Sequence, residues 1–395
     1  MLSPNKGTAA LGAATVLAVL VTGLGAALAR DASRPDSAGA SAKGTRSDLN
    51  RALDAVMAAP DAPPGMSVLI NRNGKSEYFR RGVADVATGR LPGRKLQVRI
   101  ASVAKAFNGA IALRLVSRGK LRLGDTIGEL LPGLLPNAKQ VTLGDVLQHT
   151  GGLADYIKNQ EFIDHIQADP AGYIGPREVV SFVKDEPLEF KPGSRYKYSD
   201  TDNFVAGLMA EKVTGIPYER LVKRRMGRLA ELKSTILPKT VAMPHPFMHG
   251  YDVVPGQPPT DISEFLNPAG AWASGGIVST LPDLGRFFRS YVGGKLFGSK
   301  VTGKQREWVA GESDPPGPGV NVAGLGLFRY RTRCGTVFGH TGSFPGYRAF
   351  AASTADGKRS IAFVASAQSA PSLGKTPATA RIRRAQVAAV CRALR

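Results

Sequence analysis

Strand-like patterns lie near both ends of this chain, and helical patterns fill the region between them. Early in the chain, strands are predicted at 65–70 and 76–83, joined by the turn Asn71-Arg72-Asn73-Gly74, which is typical of a hairpin. Further strands are predicted at 324–331, 336–340, 347–353 and 359–366, followed by a closing helix at 377–394. The pattern predicts an α/β fold of the α+β type, with one antiparallel sheet built from both chain ends, flanking helices and an inserted all-helical lobe.

The 395 residues provide enough material for these lobes around a sizeable core. We assign one folded domain to residues 49–395, with a sheet lobe at about 49–120 and 300–395 and a helical lobe at about 121–299. The predicted helices lie at 49–58, 102–115, 141–148, 178–184, 203–214, 218–225 and 281–291.

The first 29 residues predict a secretory signal peptide. Lys6 precedes an apolar stretch at 9–25, and Ala27-Leu28-Ala29 is a small-x-small cleavage site. We therefore expect a secreted protein cleaved after Ala29, with a Ser-, Ala- and Gly-rich linker at 30–48. The alternative is an uncleaved N-terminal anchor, for which the apolar stretch is a little short.

Cys334 and Cys391 are the two cysteines of the chain. Cys334 lies beside a predicted strand and Cys391 on the last predicted helix, so the fold can bring them together. In an exported protein this favours a disulfide, and the alternative is two buried thiols.

The formal net charge is +21. The basic residues are scattered and no aromatic-interleaved basic stripe occurs, which excludes a nucleic-acid partner. For an exported chain the charge favours an anionic cell wall or membrane surface as counterpart. Arginine-rich composition on a solvated surface is the plainer explanation.

Ser102-Val103-Ala104-Lys105 opens a predicted helix. Residues three apart share a helix face, and the free N–H groups of a first turn favour a developing negative charge. Ser102 is therefore a candidate nucleophile with Lys105 beside it. Alone, the same letters also describe an N-cap serine followed by a surface lysine.

Two further segments contain polar groups suited to the same chemistry. Tyr198-Ser199-Asp200 precedes the helix at 203–214, and a phenol beside an ammonium group can ionise and act as a general base. Gly339 to Ser343 ends a predicted strand whose glycines allow a ligand to approach the backbone. The alternatives are a surface tyrosine at a helix cap and a hairpin corner with a solvent-facing histidine.

Together these segments resemble the serine penicillin-recognising enzymes, with their S-x-x-K, Y-x-N and K-T-G or H-T-G motifs in the same order. Leu147–Leu153 (LQHTGGL) and Gly275–Thr280 (GGIVST) resemble two auxiliary motifs of that family. The H-T-G form is most similar to secreted actinobacterial D-alanyl-D-alanine carboxypeptidases. The resemblance covers residues 46–395 and implies a β-lactamase/transpeptidase-like fold.

The resemblance implies acyl transfer without a cofactor or metal. Ser102 attacks the carbonyl, Tyr198 with Lys105 takes the serine proton, and the N–H groups of Ser102 and Ser343 hold the oxyanion. The expected substrate-binding residues are Asp200, His340, Thr341, Gly342, Ser343 and Arg329.

Several residue assignments stay open at this stage. Asp200 stands where the family commonly has asparagine, and a carboxylate cannot donate to a substrate carbonyl unless it is protonated. Arg329 shares a strand face with Arg331 and Arg333 that can equally face solvent. Trp272 and Phe162 are candidates to line the pocket. The alternative, which is commoner for aromatic residues, is that they belong to the core.

The implied partner is a peptidoglycan stem peptide or a β-lactam, and we expect a monomer. The leading hypothesis is a secreted serine D-Ala-D-Ala carboxypeptidase. The alternatives are a class C-like β-lactamase, an esterase or a D-amino-acid amidase of the same fold, and a non-catalytic wall-binding protein. His245 and His249 flank prolines, so their spacing does not predict a metal site.

Overall fold

The computed structural model describes residues 42–367 and 376–395. The predicted signal peptide and most of the predicted linker lie outside these residues. Within the described ranges, the structure contains no helix with the length and apolar character needed to cross a membrane.

Strands from both ends of the chain form one eight-stranded antiparallel sheet, as predicted. Its order is β2-β1-β12-β11-β10-β9-β8-β7, so the N-terminal hairpin lies beside the last strand. The strands are β1 Gly65–Arg72, β2 Lys75–Gly82, β3 Val98–Arg99, β4 Tyr251–Asp252, β5 Thr260–Asp261, β6 Val278–Ser279, β7 Val309–Ala310, β8 Val320–Gly324, β9 Leu327–Thr332, β10 Gly335–Phe344, β11 Tyr347–Ser353 and β12 Arg359–Ala365. The short pairs β3–β6 and β4–β5 lie outside the main sheet.

Helices cover both faces of the sheet and form the lobe beside it. The α-helices are α1 Ala42–Met57, α2 Ala104–Ser117, α3 Ile127–Leu130, α4 Leu143–Gln148, α5 Gln160–Ala168, α6 Pro176–Ser181, α7 Thr201–Thr214, α8 Tyr218–Arg220, α9 Gly227–Leu229, α10 Trp272–Gly275, α11 Leu281–Val292, α12 Ser299–Gln305 and α13 Pro377–Leu394. A π-helical turn, Leu221–Met226, joins α8 to α9, and short 3₁₀ turns occur at Ala101–Val103, Pro136–Ala138, Tyr156–Lys158 and Pro268–Gly270.

Two apolar clusters hold these layers together. On one face, Leu53 of α1 and Ile382 of α13 pack with Phe350 and Phe363 of the sheet. On the other face, α11 packs on the sheet and on α2, and the rings of Phe107 and Phe287 stack with centroids 3.7 Å apart. The nucleophile helix α2 is therefore enclosed between the sheet and the helical lobe.

Some predicted boundaries were wrong. Helix α1 begins at Ala42 rather than at residue 49, inside the predicted linker. The single strand predicted at 324–331 is two strands, because the chain turns at Leu325-Gly326, where Gly326 has φ +61°. The N-terminal hairpin turns at Asn73-Gly74 alone, with φ +49° and +81°, as a two-residue turn between twisted strands requires.

Cys334 and Cys391 form a disulfide, with Cα atoms 5.0 Å apart. It joins the turn between β9 and β10 to the last helix, as the sequence predicted. The bridge therefore fixes α13 against the strand that carries the His340 motif.

Candidate active site

Ser102 lies in the 3₁₀ turn that connects β3 to α2. Ala101, directly before it, has φ +51°, which is uncommon for a residue with a side chain. Such backbone strain persists only where the surrounding structure imposes it, and it is concentrated at functional sites. The sheet and helix thus hold the serine in a fixed position in the first turn, where N–H groups lack intrahelical acceptors.

Lys105 lies one turn further along α2, and its side chain is 1% exposed. Its ammonium group donates three hydrogen bonds, at 3.1 Å to Ser102 Oγ, 2.5 Å to Asp200 Oδ1 and 3.0 Å to the Ser274 carbonyl oxygen. All three N–H groups are therefore used, and only the Asp200 acceptor is anionic.

The ring of Tyr198 lies over Lys105, with Nζ 4.9 Å from the ring centroid. Its hydroxyl is buried and has no hydrogen-bond partner among the residues described. Burial raises the pKa of Tyr198 well above its usual value, and the Asp200 carboxylate raises it further. These shifts favour a neutral phenol in the resting site, in the opposite direction to the expectation that a nearby ammonium group can ionise Tyr198.

The L-Q-H-T segment supplies the support behind Tyr198. The His149 ring stacks on the Tyr198 ring with centroids 4.5 Å apart, and its Nδ1 lies 2.8 Å from Asp202 Oδ2. Burial lowers the pKa of His149 to about 3, while burial and neighbouring carboxylates raise the pKa of Asp202. Both shifts favour the uncharged forms of this pair, which packs behind Tyr198 and holds its ring in place.

Strand β10 passes directly beside the nucleophile turn. A Cβ on Gly342 would lie 2.5 Å from the Ile100 carbonyl oxygen and 3.0 Å from the Ser102 nitrogen. Only glycine allows this approach. Strand β9 stops pairing at Gly339, so the last residues of β10 have a ladder partner only on the β11 side. The open edge faces the position where a substrate backbone would lie.

His340 is buried, with Nδ1 2.6 Å from the Thr341 carbonyl oxygen. A carbonyl only accepts, so the ring proton is on Nδ1 and Nε2 is free to accept. Burial, followed by the charge of Lys105, lowers the pKa of His340 to about 3. His340 therefore contributes a neutral acceptor where many β-lactamases have a lysine.

The two hydroxyls expected to bind a substrate carboxylate differ. Thr341 Oγ1 donates to the Pro315 carbonyl oxygen at 2.6 Å, which uses its only proton. Ser343 Oγ is buried and has no partner within the described residues. Ser343, but not Thr341, is available to donate to a ligand.

Arg329 does not lie against these hydroxyls. The Arg329 guanidinium lies over the Trp308 ring, 5.1 Å from its centroid. On the sheet, Arg329 of β9 pairs with Phe338 of β10. Arg348 of β11 instead pairs directly with Ser343, so their side chains share one face of the sheet. Burial lowers the pKa of Arg348, while Asp314 and Asp61 act in the opposite direction. The guanidinium forms no hydrogen bond or ion pair with the described part of the chain.

Sequence reasoning missed Arg348, although a signal was present. Pro345-Gly346 is a two-residue turn between strands, and such a turn fixes the register that places residue 348 opposite residue 343.

Asp314 is a second charged residue that the sequence did not single out. It lies on the β7–β8 loop, next to the Pro315 carbonyl that holds Thr341. Burial raises its pKa, and so does Asp200, while Lys105 and Arg348 lower it. These interactions place the Asp314 carboxyl in the same cleft, and it has no hydrogen bond to the residues described.

The remaining candidates have structural roles. Trp272 and Phe162 are 3% and 2% exposed in the core, which is the commoner role expected for them. His249 hydrogen-bonds Asp261 at 2.5 Å. Among the residues that the structure describes, no group of three or more His, Cys, Asp or Glu side chains is placed to hold a metal ion.

The chain is similar to several known proteins. A curated relative, the "Beta-lactamase" of Pseudomonas fluorescens, is 26% identical over 48% of this chain and 50% of its own length. The "Putative D-alanyl-D-alanine carboxypeptidase" of Escherichia coli (strain K12) is 31% identical over 35% of this chain and 33% of its own length. The chain thus matches between a third and a half of the length of these relatives.

Among solved structures, a D-stereospecific amidohydrolase from Streptomyces sp. is similar with a TM-score of 0.73 and 28% identity, covering 81% of this chain and 94% of that one. The D-amino acid amidase of Ochrobactrum anthropi SV3 has a TM-score of 0.71 at 22% identity, covering 86% and 98%, and shows the shared fold. A family model described as Beta-lactamase matches residues 49–386. This chain belongs to the beta-lactamase family.

Proposed function

We propose that this protein is a secreted serine D-Ala-D-Ala carboxypeptidase that hydrolyses peptidoglycan stem peptides through an acyl-enzyme on Ser102. The observation that carries the proposal is the pair Ser343 and Arg348. The Ser343 hydroxyl is buried without a hydrogen-bond partner in the described chain, and the Arg348 guanidinium forms no hydrogen bond or ion pair there. The two side chains share a sheet face next to Gly342, whose backbone meets the nucleophile turn. A C-terminal carboxylate satisfies both, because guanidinium and hydroxyl donors bind carboxylates with charge-assisted hydrogen bonds.

The reaction follows from the positions of the groups. The substrate lies along the open edge of β10, with its carboxylate toward Arg348 and its scissile carbonyl at Ser102. The N–H groups of Ser102 and Ser343 lie on the two elements that meet at Gly342, and they stabilise the oxyanion. D-alanine leaves, and water then hydrolyses the ester on Ser102. A penicillin, which also presents a carboxylate near a reactive amide, acylates the same serine.

A secreted enzyme suits this substrate. The sequence of residues 1–29 supports export, and the net charge of +21 supports attraction to an anionic wall or membrane surface. Export predicts that the mature protein begins at Arg30, which N-terminal sequencing of the secreted form tests. We expect no cofactor and a monomer, and sedimentation of the purified protein tests the latter.

A second candidate is an amidase acting on D-amino-acid amides. The specific observation in its favour is the Asp314 carboxyl, which has no hydrogen bond to the residues described and is suited to an ammonium group in the cleft. The likeness to the Streptomyces amidohydrolase points the same way. This activity would need Asp314 more than Arg348.

The test compares three substrates on the purified protein. Diacetyl-Lys-D-Ala-D-Ala, the same peptide with a C-terminal amide, and D-alanine amide are incubated with the enzyme, and released D-alanine or ammonia is assayed. The proposal expects release of D-alanine, with the free carboxylate preferred by at least about tenfold in kcat/KM. Faster hydrolysis of D-alanine amide would favour the second candidate.

Serine chemistry is tested separately. A labelled penicillin should acylate wild-type protein and leave the Ser102→Ala variant unlabelled. If the wild-type protein neither takes the label nor releases D-alanine, the carboxypeptidase proposal is wrong.

A further inference from the structure

Asp200 stands where related enzymes commonly have asparagine, and it contacts Lys105 directly. The distance of 2.5 Å from Nζ to Oδ1 is the shortest of the three hydrogen bonds of the ammonium group. Asp200 is itself held by its backbone N–H, which donates to Asp155 Oδ1 at 3.0 Å. Its contacts with Lys105 and Asp155 therefore fix the position of Asp200 beside the ammonium group.

The resting site contains no free base at Ser102. Lys105 already donates all three hydrogens, so it cannot accept the serine proton until it loses one. Tyr198 is a neutral phenol, and it cannot accept a proton either until its own is lost. Of the three acceptors around Lys105, a carbonyl and a hydroxyl are neutral, and Asp200 alone is an anion that can take a proton.

We propose that Asp200 is the terminal acceptor of the Ser102 proton through Lys105, and that Tyr198 acts as the proton donor to the leaving amine. The inference rests on the serine hydrolase function proposed above. Asp200 acts through Lys105 and is therefore a positioning and proton-holding residue.

The steps balance as follows. As Ser102 Oγ bonds to the carbonyl carbon, its proton passes to Lys105 Nζ, and a Lys105 proton passes to Asp200 Oδ1. Collapse of the tetrahedral intermediate breaks the C–N bond, and the Tyr198 hydroxyl gives its proton to the leaving nitrogen. The acyl-enzyme then holds a neutral Asp200 and a Tyr198 phenolate.

Deacylation reverses the order. The Tyr198 phenolate takes a proton from water as the hydroxide bonds to the acyl carbon. Ser102 Oγ leaves and takes a proton from Lys105 Nζ, and Lys105 then regains a proton from Asp200 Oδ1. The resting protonation states return, and the net reaction is addition of one water to one amide.

The carboxylate of Asp200, where related enzymes commonly have asparagine, couples removal of the Ser102 proton to proton donation by Tyr198. While Asp200 is an anion it opposes ionisation of Tyr198, and once it is protonated that opposition ends. Arrival of the serine proton at Asp200 therefore makes Tyr198 a stronger acid at the moment when the leaving amine needs a proton.

Other titratable groups also lie around Asp200. Lys105 lies on α2, Asp155 and Tyr156 precede α5, and Asp202 lies on α7. Asp314 lies on the β7–β8 loop and His340 on β10. Lys105 is the one cation in direct contact with the carboxylate among the residues described.

The test compares a p-nitrophenyl ester and a p-nitroanilide that carry the same diacetyl-Lys-D-Ala acyl group. The ester leaving group departs as a stable anion and needs no proton, whereas the anilide nitrogen needs one. We expect Tyr198→Phe to keep ester acylation within about tenfold while anilide acylation falls by about 10²- to 10³-fold. If both substrates lose the same factor, Tyr198 is the serine base and the inference is overturned.

Asp200→Asn gives the complementary result. Acylation by both substrates should fall about 10²-fold at pH 7. The acid limb of kcat/KM should move to higher pH, because the Lys105 ammonium group must then lose its proton without a carboxylate to accept it. A profile that superimposes on the wild type would overturn the inference. Glu161→Gln, an exposed change on α5, is the charge-matched control, and thermal unfolding checks that each variant is folded.

The outcomes separate the two proposals. Wild-type activity with equal losses in Tyr198→Phe overturns only the proton route and leaves the hydrolase function intact. Wild-type inactivity toward ester, anilide and penicillin removes the function and the inference that rests on it.

Discussion

The two ends of the cleft differ in how their polar groups are satisfied. At the reacting end, Lys105 is 1% exposed and every one of its N–H groups has an acceptor. At the anchoring end, Ser343 Oγ has no hydrogen-bond partner within the residues described, and the Arg348 guanidinium has only the longer-range attraction of Asp314 and Asp61. The reacting end is therefore preorganised by the fold, whereas the anchoring end is completed only by a ligand.

This difference assigns catalysis and specificity to separate residues. A change to Ser102, Lys105 or Asp200 should affect every substrate alike, because each substrate needs the same serine. A change to Tyr198 should affect only substrates whose leaving group needs a proton. A change at the anchoring end should affect only substrates that carry the matching charge. The predictions below test this separation, in order of decreasing effect.

Replacement of Lys105 by alanine should produce the largest loss. Ser102 loses its hydrogen-bonded partner and Asp200 its counter-charge, so acylation should fall by on the order of 10³-fold or more for ester, peptide and penicillin substrates. Stopped-flow acylation rates measure this. A loss confined to peptides would contradict the assignment of Lys105 to the reacting end.

Replacement of Arg348 by alanine should be selective. kcat/KM for the peptide with a free C-terminal carboxylate should fall about 10²-fold, and the amidated peptide should change by less than about threefold. Arg329→Ala, which removes the guanidinium stacked on Trp308, is the matched control and should leave this selectivity unchanged. If Arg329→Ala abolishes the preference and Arg348→Ala does not, the anchor has been placed on the wrong strand.

Gly342→Ala tests the junction of the two ends. The new Cβ would meet the Ile100 carbonyl oxygen at 2.5 Å and displace β10 from the nucleophile turn. Acylation by all substrates should fall by about 10- to 100-fold. Gly303→Ala on α12 is the control, because a Cβ at Gly303 would have no atom within 4 Å. This variant should leave the acylation rates unchanged.

Asp155→Asn should give the smallest effect, on stability. Burial and the Asp200 charge raise the pKa of Asp155 to about 7. The folded protein therefore keeps this proton between about pH 4 and pH 7 while the unfolded chain releases it, so stability falls as the pH rises through that window. The variant should remove about 1 to 3 kcal/mol of that pH dependence, measured by urea unfolding at pH 4.5 and 7.5. Identical pH slopes for both proteins would exclude a raised pKa for Asp155.

The sequence predicted the reacting end better than the anchoring end, for physical reasons. Ser102 and Lys105 are one helical turn apart, so local periodicity alone places them together. The protonation of Tyr198 depends on burial and on the Asp200 carboxylate, and neither can be read from spacing. Arg348 was missed because its partnership with Ser343 depends on the register between two strands.

The fold was predictable to a similar degree. The antiparallel sheet and the closing helix at Pro377–Leu394 follow from hydrophobic alternation and periodicity. The turn at Leu325-Gly326 was missed because the strand-like letters continue through it, and a tertiary contact of Gly326 with Gly109 of α2 determines where the chain bends.

Peptide mapping by mass spectrometry of the protein trapped with a penicillin tests the central claim most directly. The account predicts one adduct, on the tryptic peptide that contains Ser102, absent from Ser102→Ala and reduced in initial rate by Arg348→Ala. An adduct on another residue, or wild-type hydrolysis of the D-Ala-D-Ala peptide that persists in Ser102→Ala, would contradict it.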